Sequence, residues 1–394
     1  MDAIKSVNIE IRIEKAAFGG DGIATVDGKI CFVEGVLPGE TVIARVVQNK
    51  KNFCRAKLVK ILEPSPFRVP APCPYIDACG GCQYQHVSYP EELRIKEDQV
   101  REIITRISGD GNVVKSIVPS SADYGARNSV TLHRTQKESA KPQRLGFVGR
   151  DNKTVLPIDN CLLADSRLKD IFRASFLLKK GVDKVRLRVS ATDQIVSDQE
   201  DVFMRIPLGG KNLVVHSKGF FQNNLPVADR LARLVGEWTR QAAPGVFFDL
   251  FAGVGTFGLL AAPQVPKVIF IEENKDNLDA LRMNVAESDL REGQVIHGRA
   301  EKVFESIFPK YREEKTMVCV DPPRSGLEGA ITQFLSGEGR AHSLVYISCD
   351  LATLARDLKI LLRTGGYRLA QVIPFDMFPR TKHIEIATLL TADH

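Results

Sequence analysis

Five short segments of this chain carry side chains with chemical potential. Cys73, Cys79 and Cys82 are spaced Cys-x5-Cys-x2-Cys, with Gly80 and Gly81 between the last two. Clustered thiols with glycines for tight turning point to a metal site. A fourth ligand is needed, and Cys161, in the turn at residues 157–161, is the candidate. Zinc and a 4Fe-4S cluster both accept four thiolates, so the spacing leaves both open. The second segment places Gly253, Gly255 and Gly258 in a G-x-G-x-x-G loop after Asp249. Such glycines let backbone approach a ligand at a helix N-terminus, in nicotinamide and adenosylmethionine sites alike. Glu272, at the end of the next apolar run, can accept the ribose hydroxyls of a nucleoside. The third segment, Asp321-Pro322-Pro323-Arg324, ends another apolar run and sets a carboxylate at a sheet edge. Acid-Pro-Pro there is common in methyltransferases acting on nucleobases, and nicotinamide enzymes do not need it.

The fourth segment is Ser348-Cys349-Asp350, again after an apolar run. A cysteine at a helix N-terminus has its thiolate favoured by backbone amides and the dipole. A lone cysteine packs in a core more often, but its place beside the other two motifs favours a nucleophile. The fifth is His383-Ile384-Glu385, where Glu385 opens an apolar strand. A desolvated carboxylate is poised to take a proton, whereas a solvated one would be idle.

The elements that position these groups fall into three parts. Residues 1–62 alternate with period two between glycine turns, which predicts five short strands in an OB-like β-barrel. Four prolines in residues 63–72 mark a linker. Residues 63–222 read as a central α+β domain, with a helix at 89–107, strands at 129–133, 145–148 and 185–189, and a helical stretch at 164–179. Residues 223–394 alternate helices with apolar strands at 246–251, 268–271, 316–320 and 343–347. That order predicts a Rossmann-like domain with a mostly parallel sheet, so the fold class is multidomain α/β.

Of 394 residues, 44% are hydrophobic and 26% charged, which excludes disordered, collagen-like and coiled-coil chains. The formal charge of +6 equals the six cations Arg45, Lys50, Lys51, Arg55, Lys57 and Lys60, which share residues 41–62 with no acid. A solvated strand face would look the same, but a basic face on a small barrel also suits a nucleic-acid backbone. The first ten residues lack the apolar run of a signal peptide, and no apolar run reaches membrane-spanning length. A cytoplasmic, reducing setting is therefore expected, with thiols as ligands or nucleophiles. Cys31, Cys54 and Cys319 are read as core.

Together these motifs resemble the RNA uridine-5 methyltransferases, specifically the 23S rRNA branch with an N-terminal TRAM domain and a 4Fe-4S cluster. The resemblance runs nearly the whole chain in order: barrel, cysteine motif, Phe220-Phe221-Gln222-Asn223-Asn224, glycine loop, Asp-Pro-Pro-Arg, Ser-Cys and His-x-Glu. It implies that Cys73, Cys79, Cys82 and Cys161 hold the cluster. It implies that S-adenosyl-L-methionine contacts Gln222, Phe251, Glu272 and Asp321, with Gly253, Gly255 and Thr256 in the loop beside it. Cys349 would be the nucleophile and Glu385 the base, with Phe220 against the target base. RNA would be the partner (rRNA first, tRNA as the alternative), and the protein would act as a monomer off the membrane. Leu351 replaces the family's usual proline after Ser-Cys-Asp, and Arg380 and Lys382 stand where they could meet RNA phosphate. The readings from other classes are a nicotinamide-dependent oxidoreductase and a non-catalytic RNA-binding protein.

Overall fold

A computed structural model describes residues 7–135, 142–363 and 365–392. The residues before Val7, part of the expected N-terminal alternation, lie outside these. Six strands form the N-terminal sheet: β1 (Asn8–Arg12), β2 (Lys15–Ala16), β3 (Gly22–Val26), β4 (Lys29–Glu34), β5 (Thr41–Asn49) and β6 (Phe53–Glu63). The order is β1-β5-β6-β4-β3-β2, one strand more than the alternation predicted. The two edge strands, β1 and β2, are separated in the chain only by Ile13 and Glu14. Inward residues such as Cys31, Val33, Val42 and Ala44 make its core, and Cys54 joins them. The six cations of β5, β6 and their turn all face outward and are exposed. Arg55 stacks on Phe32, which meets Phe53 edge-on.

Helix α1 (Tyr89–Ser108) follows the linker, with Pro90 in its first turn and Gly109 closing it in the left-handed region. Strands β7 (Ser129–Arg134), β8 (Gln143–Val148), β9 (Val155–Pro157), β10 (Ser175–Phe176), β11 (Lys184–Val189) and β12 (Ile195–Ser197) make the central sheet. The helix expected at 164–179 is instead one 3-10 segment, Ser166–Phe172, capped by Asp165. Its apolar residues Leu168, Ile171 and Phe172 fill only that turn, and Ser175 and Phe176 pair with β8 instead.

A hairpin of β13 (Phe203–Leu208) and β14 (Lys211–His216) packs with the C-terminal core. The C-terminal sheet contains β15 (Val246–Leu250), β16 (Lys267–Glu272), β17 (Gly293–His297), β18 (Thr316–Val320), β19 (Ser343–Ser348), β20 (Arg368–Phe375) and β21 (Glu385–Thr391). The order is β17-β16-β15-β18-β19-β21-β20. The first five are parallel, while β21 runs antiparallel between β19 and β20. The four strands read as apolar runs are buried on both faces, as parallel strands under two helix layers must be. One face packs on α2 (Leu225–Ala242), α3 (Thr256–Ala261) and α4 (Lys275–Ala286). The other packs on α1, α5 (Ala300–Ile307), α6 (Gly329–Ser336) and α7 (Leu351–Arg363). Residues 113–118 run beside the edge strand β20, where Val118 N–H donates to the Pro374 carbonyl at 2.8 Å. No helix among the described residues is long and apolar enough to cross a membrane.

Candidate active site

Strand order reverses between β15 and β18, and in such sheets the crevice beyond the strands' carboxyl ends receives ligands. After β15 the chain turns sharply, with Phe251, Gly253 and Gly255 at φ 61°, 57° and 90°. The left-handed Phe251 ends the strand one residue earlier than the apolar run suggested. Gly258 is required for a different reason, since a Cβ there would run into the Phe270 ring. Its amide donates to Asp249 Oδ2 at 2.8 Å, which ties the loop to its strand. Glu272 accepts from the amides of Gly253 and Asn274, each at 2.7 Å. The carboxylate is thereby aimed across the loop mouth.

A cavity of about 860 Å³ opens here. Gln222, Phe251, Gly253, Thr256, Glu272, Asp321, Cys349 and Glu385 all line it, together with Phe220. Gly255 does not reach the wall; it caps α3 behind it. Three acidic groups therefore converge. Burial and the neighbouring Asp321 hold the Glu385 carboxyl well above its ordinary range, against the opposing Arg324. Burial alone pushes Asp321 up to about 7. The Cys349 thiol is pushed up to about 12 by burial, then by Glu385 and Asp321, with Arg324 the opposing cation. This corrects the expectation of a thiolate favoured by the helix terminus. Asp350 Oδ1 accepts from the amides of Ala352 and Thr353 at 3.0 and 2.9 Å, so those first α7 donors are already taken.

The segment before Glu385 is held from afar. Arg380 is 5% exposed, at φ 65°, with its guanidinium against the rings of Tyr89 and Tyr124. It pairs with Asp123 and donates to the Val87 carbonyl at 2.8 Å. Its amide donates to Glu92, which also binds the buried Lys96, and Lys96 reaches Asp376 at 2.6 Å. Arg380 is therefore a buried strut rather than a phosphate contact; Lys382 remains exposed. The Arg380 carbonyl accepts from the amides of Gln83 and Tyr84, and Gln83 Oε1 accepts from the Lys382 amide at 3.0 Å. His383 stacks edge-on to Phe378, and burial followed by surrounding cations pushes it down to about 4.

Cys73, Cys79, Cys82 and Cys161 line a second, smaller cavity of about 50 Å³, with Arg127 in its wall. All four are free thiols. Burial raises Cys82 to about 12 and also raises Cys79 and Cys161, each opposed by Arg127. Donors already point at the sulfurs. Gln85 Nε2 lies 3.1 Å from Cys82, the Gly81 amide serves Cys79, and the Leu163 and Ala164 amides serve Cys161. Among the described residues, no group of three or more His, Cys, Asp or Glu side chains is arranged to hold a metal ion. Cys31, Cys54 and Cys319 are buried in cores as expected.

Arg186, Arg188 and Asn277 also line the large cavity, and sequence reasoning missed them. The two arginines sit in a segment that alternates like any half-exposed strand, and only the packing of the central sheet over the crevice turns that face inward.

A model of the family described as tRNA (Uracil-5-)-methyltransferase matches residues 161–393, and a TRAM domain model matches residues 8–59. An uncharacterized RNA methyltransferase of Gloeobacter violaceus is 28% identical, covering 98% of this chain and 97% of that one. A 23S rRNA (uracil(1939)-C(5))-methyltransferase of Vibrio parahaemolyticus is 28% identical, covering 96% and 95%. Among solved structures, the Pyrococcus abyssi tRNA (uracil-54, C5)-methyltransferase in complex with S-adenosyl-L-homocysteine superposes with a TM-score of 0.69. It is 25% identical and covers 97% of this chain and 100% of that one.

Proposed function

Because this chain belongs to the tRNA (Uracil-5-)-methyltransferase family and is an RNA (uracil-5-)-methyltransferase, we propose that it methylates carbon 5 of a uridine in 23S rRNA through a covalent cysteine–uracil adduct. The observation that carries this reading is the convergence of Cys349, Glu385, Asp321 and Glu272 on one cavity at the switch point of the sheet.

S-adenosyl-L-methionine supplies an electrophilic methyl group on a sulfonium. Carbon 5 of uracil is too poor a nucleophile to take it unaided. Cys349, its proton released to solvent, adds through sulfur to carbon 6, and the ring becomes an enolate. Carbon 5 then takes the methyl group as its bond to the sulfonium sulfur breaks, leaving S-adenosyl-L-homocysteine. Glu385 removes the carbon 5 proton, and the returning double bond expels the Cys349 thiolate. Gln222, Phe251, Gly253, Thr256, Glu272 and Asp321 form the donor's seat, with Gly255 setting the loop, and Phe220, 61% exposed, offers its ring to the base. A positive charge beside Asp321, Glu385 and Cys349 lowers all three pKa values together, so thiol ionisation is coupled to filling of the donor seat. The target nucleotide must leave its stack, at a cost of a few kcal/mol.

The division of labour follows the three parts of the chain. Residues 1–62, as an OB-like β-barrel, grip RNA through the exposed strip of β5 and β6. Residues 63–222 carry the thiol site, and residues 223–394 carry the chemistry. We take the four thiols as the site of a 4Fe-4S cluster because all four line one cavity and N–H donors reach the sulfurs of Cys79, Cys82 and Cys161. Such a cluster supplies no redox step here, and its part is to hold Cys73, Cys79, Cys82 and Cys161 together. Action on rRNA fits a cytoplasmic protein, and we take the working unit to be a monomer. A tRNA target is the second reading, favoured by the full-length likeness to a tRNA uracil-54 enzyme. Deleting the gene and mapping 5-methyluridine in both RNAs decides between them. Loss at a 23S position supports the proposal, loss only in tRNA replaces it, and no loss in either removes it.

A further inference from the structure

Arg186 and Arg188 stand two apart on β11 and turn the same face toward the reaction cavity. Arg188 is 2% exposed. Among the described residues its hydrogen-bond partner is the Gly219 carbonyl, 3.4 Å from both terminal nitrogens, and its Nε has none. Arg186 donates to the Ser217 and Lys218 carbonyls, and its Nε is also unpartnered. Asp198 is the carboxylate that supports the Arg188 charge, yet it is not within ion-pair distance, and no ion pair to either arginine exists among the described residues. Burial, and then the neighbouring Arg186, work against the Arg188 cation. A guanidinium that is buried, charged and without a carboxylate is costly unless an anion completes it.

We propose that Arg186 and Arg188 form an oxyanion seat in the wall of the reaction cavity, and that its occupant is a backbone phosphate of the RNA beside the target uridine. The inference rests on the methyltransferase reading of this cavity. Phe220 lines the same cavity with its ring 61% exposed, so a base could stack there while its phosphate meets the arginines. The carboxylate of the methyl donor carries the same chemistry and is the other source to be separated.

The test uses the full chain, its Arg188→Met, Arg186→Met and Arg188→Lys variants, a short oligouridylate and S-adenosyl-L-homocysteine. Arg188→Met is expected to weaken oligouridylate binding by about tenfold. It should also flatten the slope of log affinity against log salt by roughly 0.7 for one lost phosphate contact. Arg188→Lys keeps most of the slope, and S-adenosyl-L-homocysteine binding is unchanged throughout. If S-adenosyl-L-homocysteine binding falls while the RNA slope holds, the phosphate assignment is overturned in favour of the donor carboxylate. If neither ligand responds to any variant, the seat does not exist. Should Arg188→Met fail to fold, the half-buried Arg186→Met gives the same readings. Failure of the underlying methyltransferase reading is distinguishable, because the unaltered protein would then not bind S-adenosyl-L-homocysteine.

Discussion

Asp321→Asn should make the protein more stable and inactive at once. The folded protein holds the Asp321 proton up to about 7, against an ordinary 3.8, because the carboxyl is desolvated. Between these values the folded chain keeps a proton that the unfolded chain has released. Stability therefore falls as pH rises through that window, and the full cost is present above about pH 7. The gap from 3.8 to about 7 corresponds to ~4 kcal/mol as an upper bound. Residual solvent contact at the open cavity reduces the working figure to about 2 kcal/mol. Asparagine removes the charge at nearly the same volume, and it also relieves Glu385 and Cys349, whose pKa values Asp321 raises. The assay is urea denaturation followed by tryptophan fluorescence at pH 5 and pH 8. Trp238 is the single tryptophan of the chain, is 3% exposed in α2, and bonds Gln371 on β20 at 2.8 Å. Its signal therefore reports the C-terminal domain. Asp321→Asn is expected to gain more over the unaltered protein at pH 8 than at pH 5, while methyl transfer is lost. An equal loss of stability at both pH values would refute the electrostatic reasoning.

Glu385→Gln should cut steady-state turnover by ~10²-fold or more while RNA-linked protein accumulates on a denaturing gel, because only the last proton removal is blocked. Loss of turnover without accumulation would move the base elsewhere. Cys349→Ala should abolish both turnover and adduct, and retained activity would remove it as nucleophile. Anaerobically purified protein should absorb broadly near ~400 nm and Cys161→Ser should lose that band, whereas stoichiometric zinc without the band would favour the zinc reading. Replacing Lys57 and Lys60 by Gln should weaken RNA binding nearly uniformly across sequences and flatten its salt dependence by roughly 0.7 per lost contact, with S-adenosyl-L-homocysteine binding intact.

Motifs that sit at the ends of buried parallel strands were legible because strand, turn and helix are written locally. Asp321 and Cys349 each follow an apolar run, and Gly253 and Gly255 mark a turn that most side chains resist. What long-range packing decides was not legible. Arg188 looks like the outward half of an alternating strand until the central sheet is laid over the crevice. Arg380 looks like a loop cation until Glu92 and Asp123, far away in sequence, surround it. The thiol of Cys349 was read from its own helix, yet burial and carboxylates from two other strands outweigh that helix, whose first amides Asp350 has already engaged. The stretch at 164–179 was misread because its composition suits a helix while Phe176 has a strand partner in β8.

The lacing of residues 378–383 to residues 83–92 has a consequence for biosynthesis. Those hydrogen bonds span some 290 positions of sequence; the one from Arg380 to Glu92 spans 288. Contacts of such separation form late, and a nascent chain gains its N-terminal parts first. The anchors on α1 and the cysteine segment must therefore wait for nearly all of the chain to leave the ribosome. Until then the anchors of Glu385 are missing, and on the proposed mechanism a partly made chain bearing Cys349 cannot complete a turnover. A truncated product lacking the last fifteen residues would lose β21, and with it the proposed base Glu385, while keeping the N-terminal sheet proposed to hold RNA.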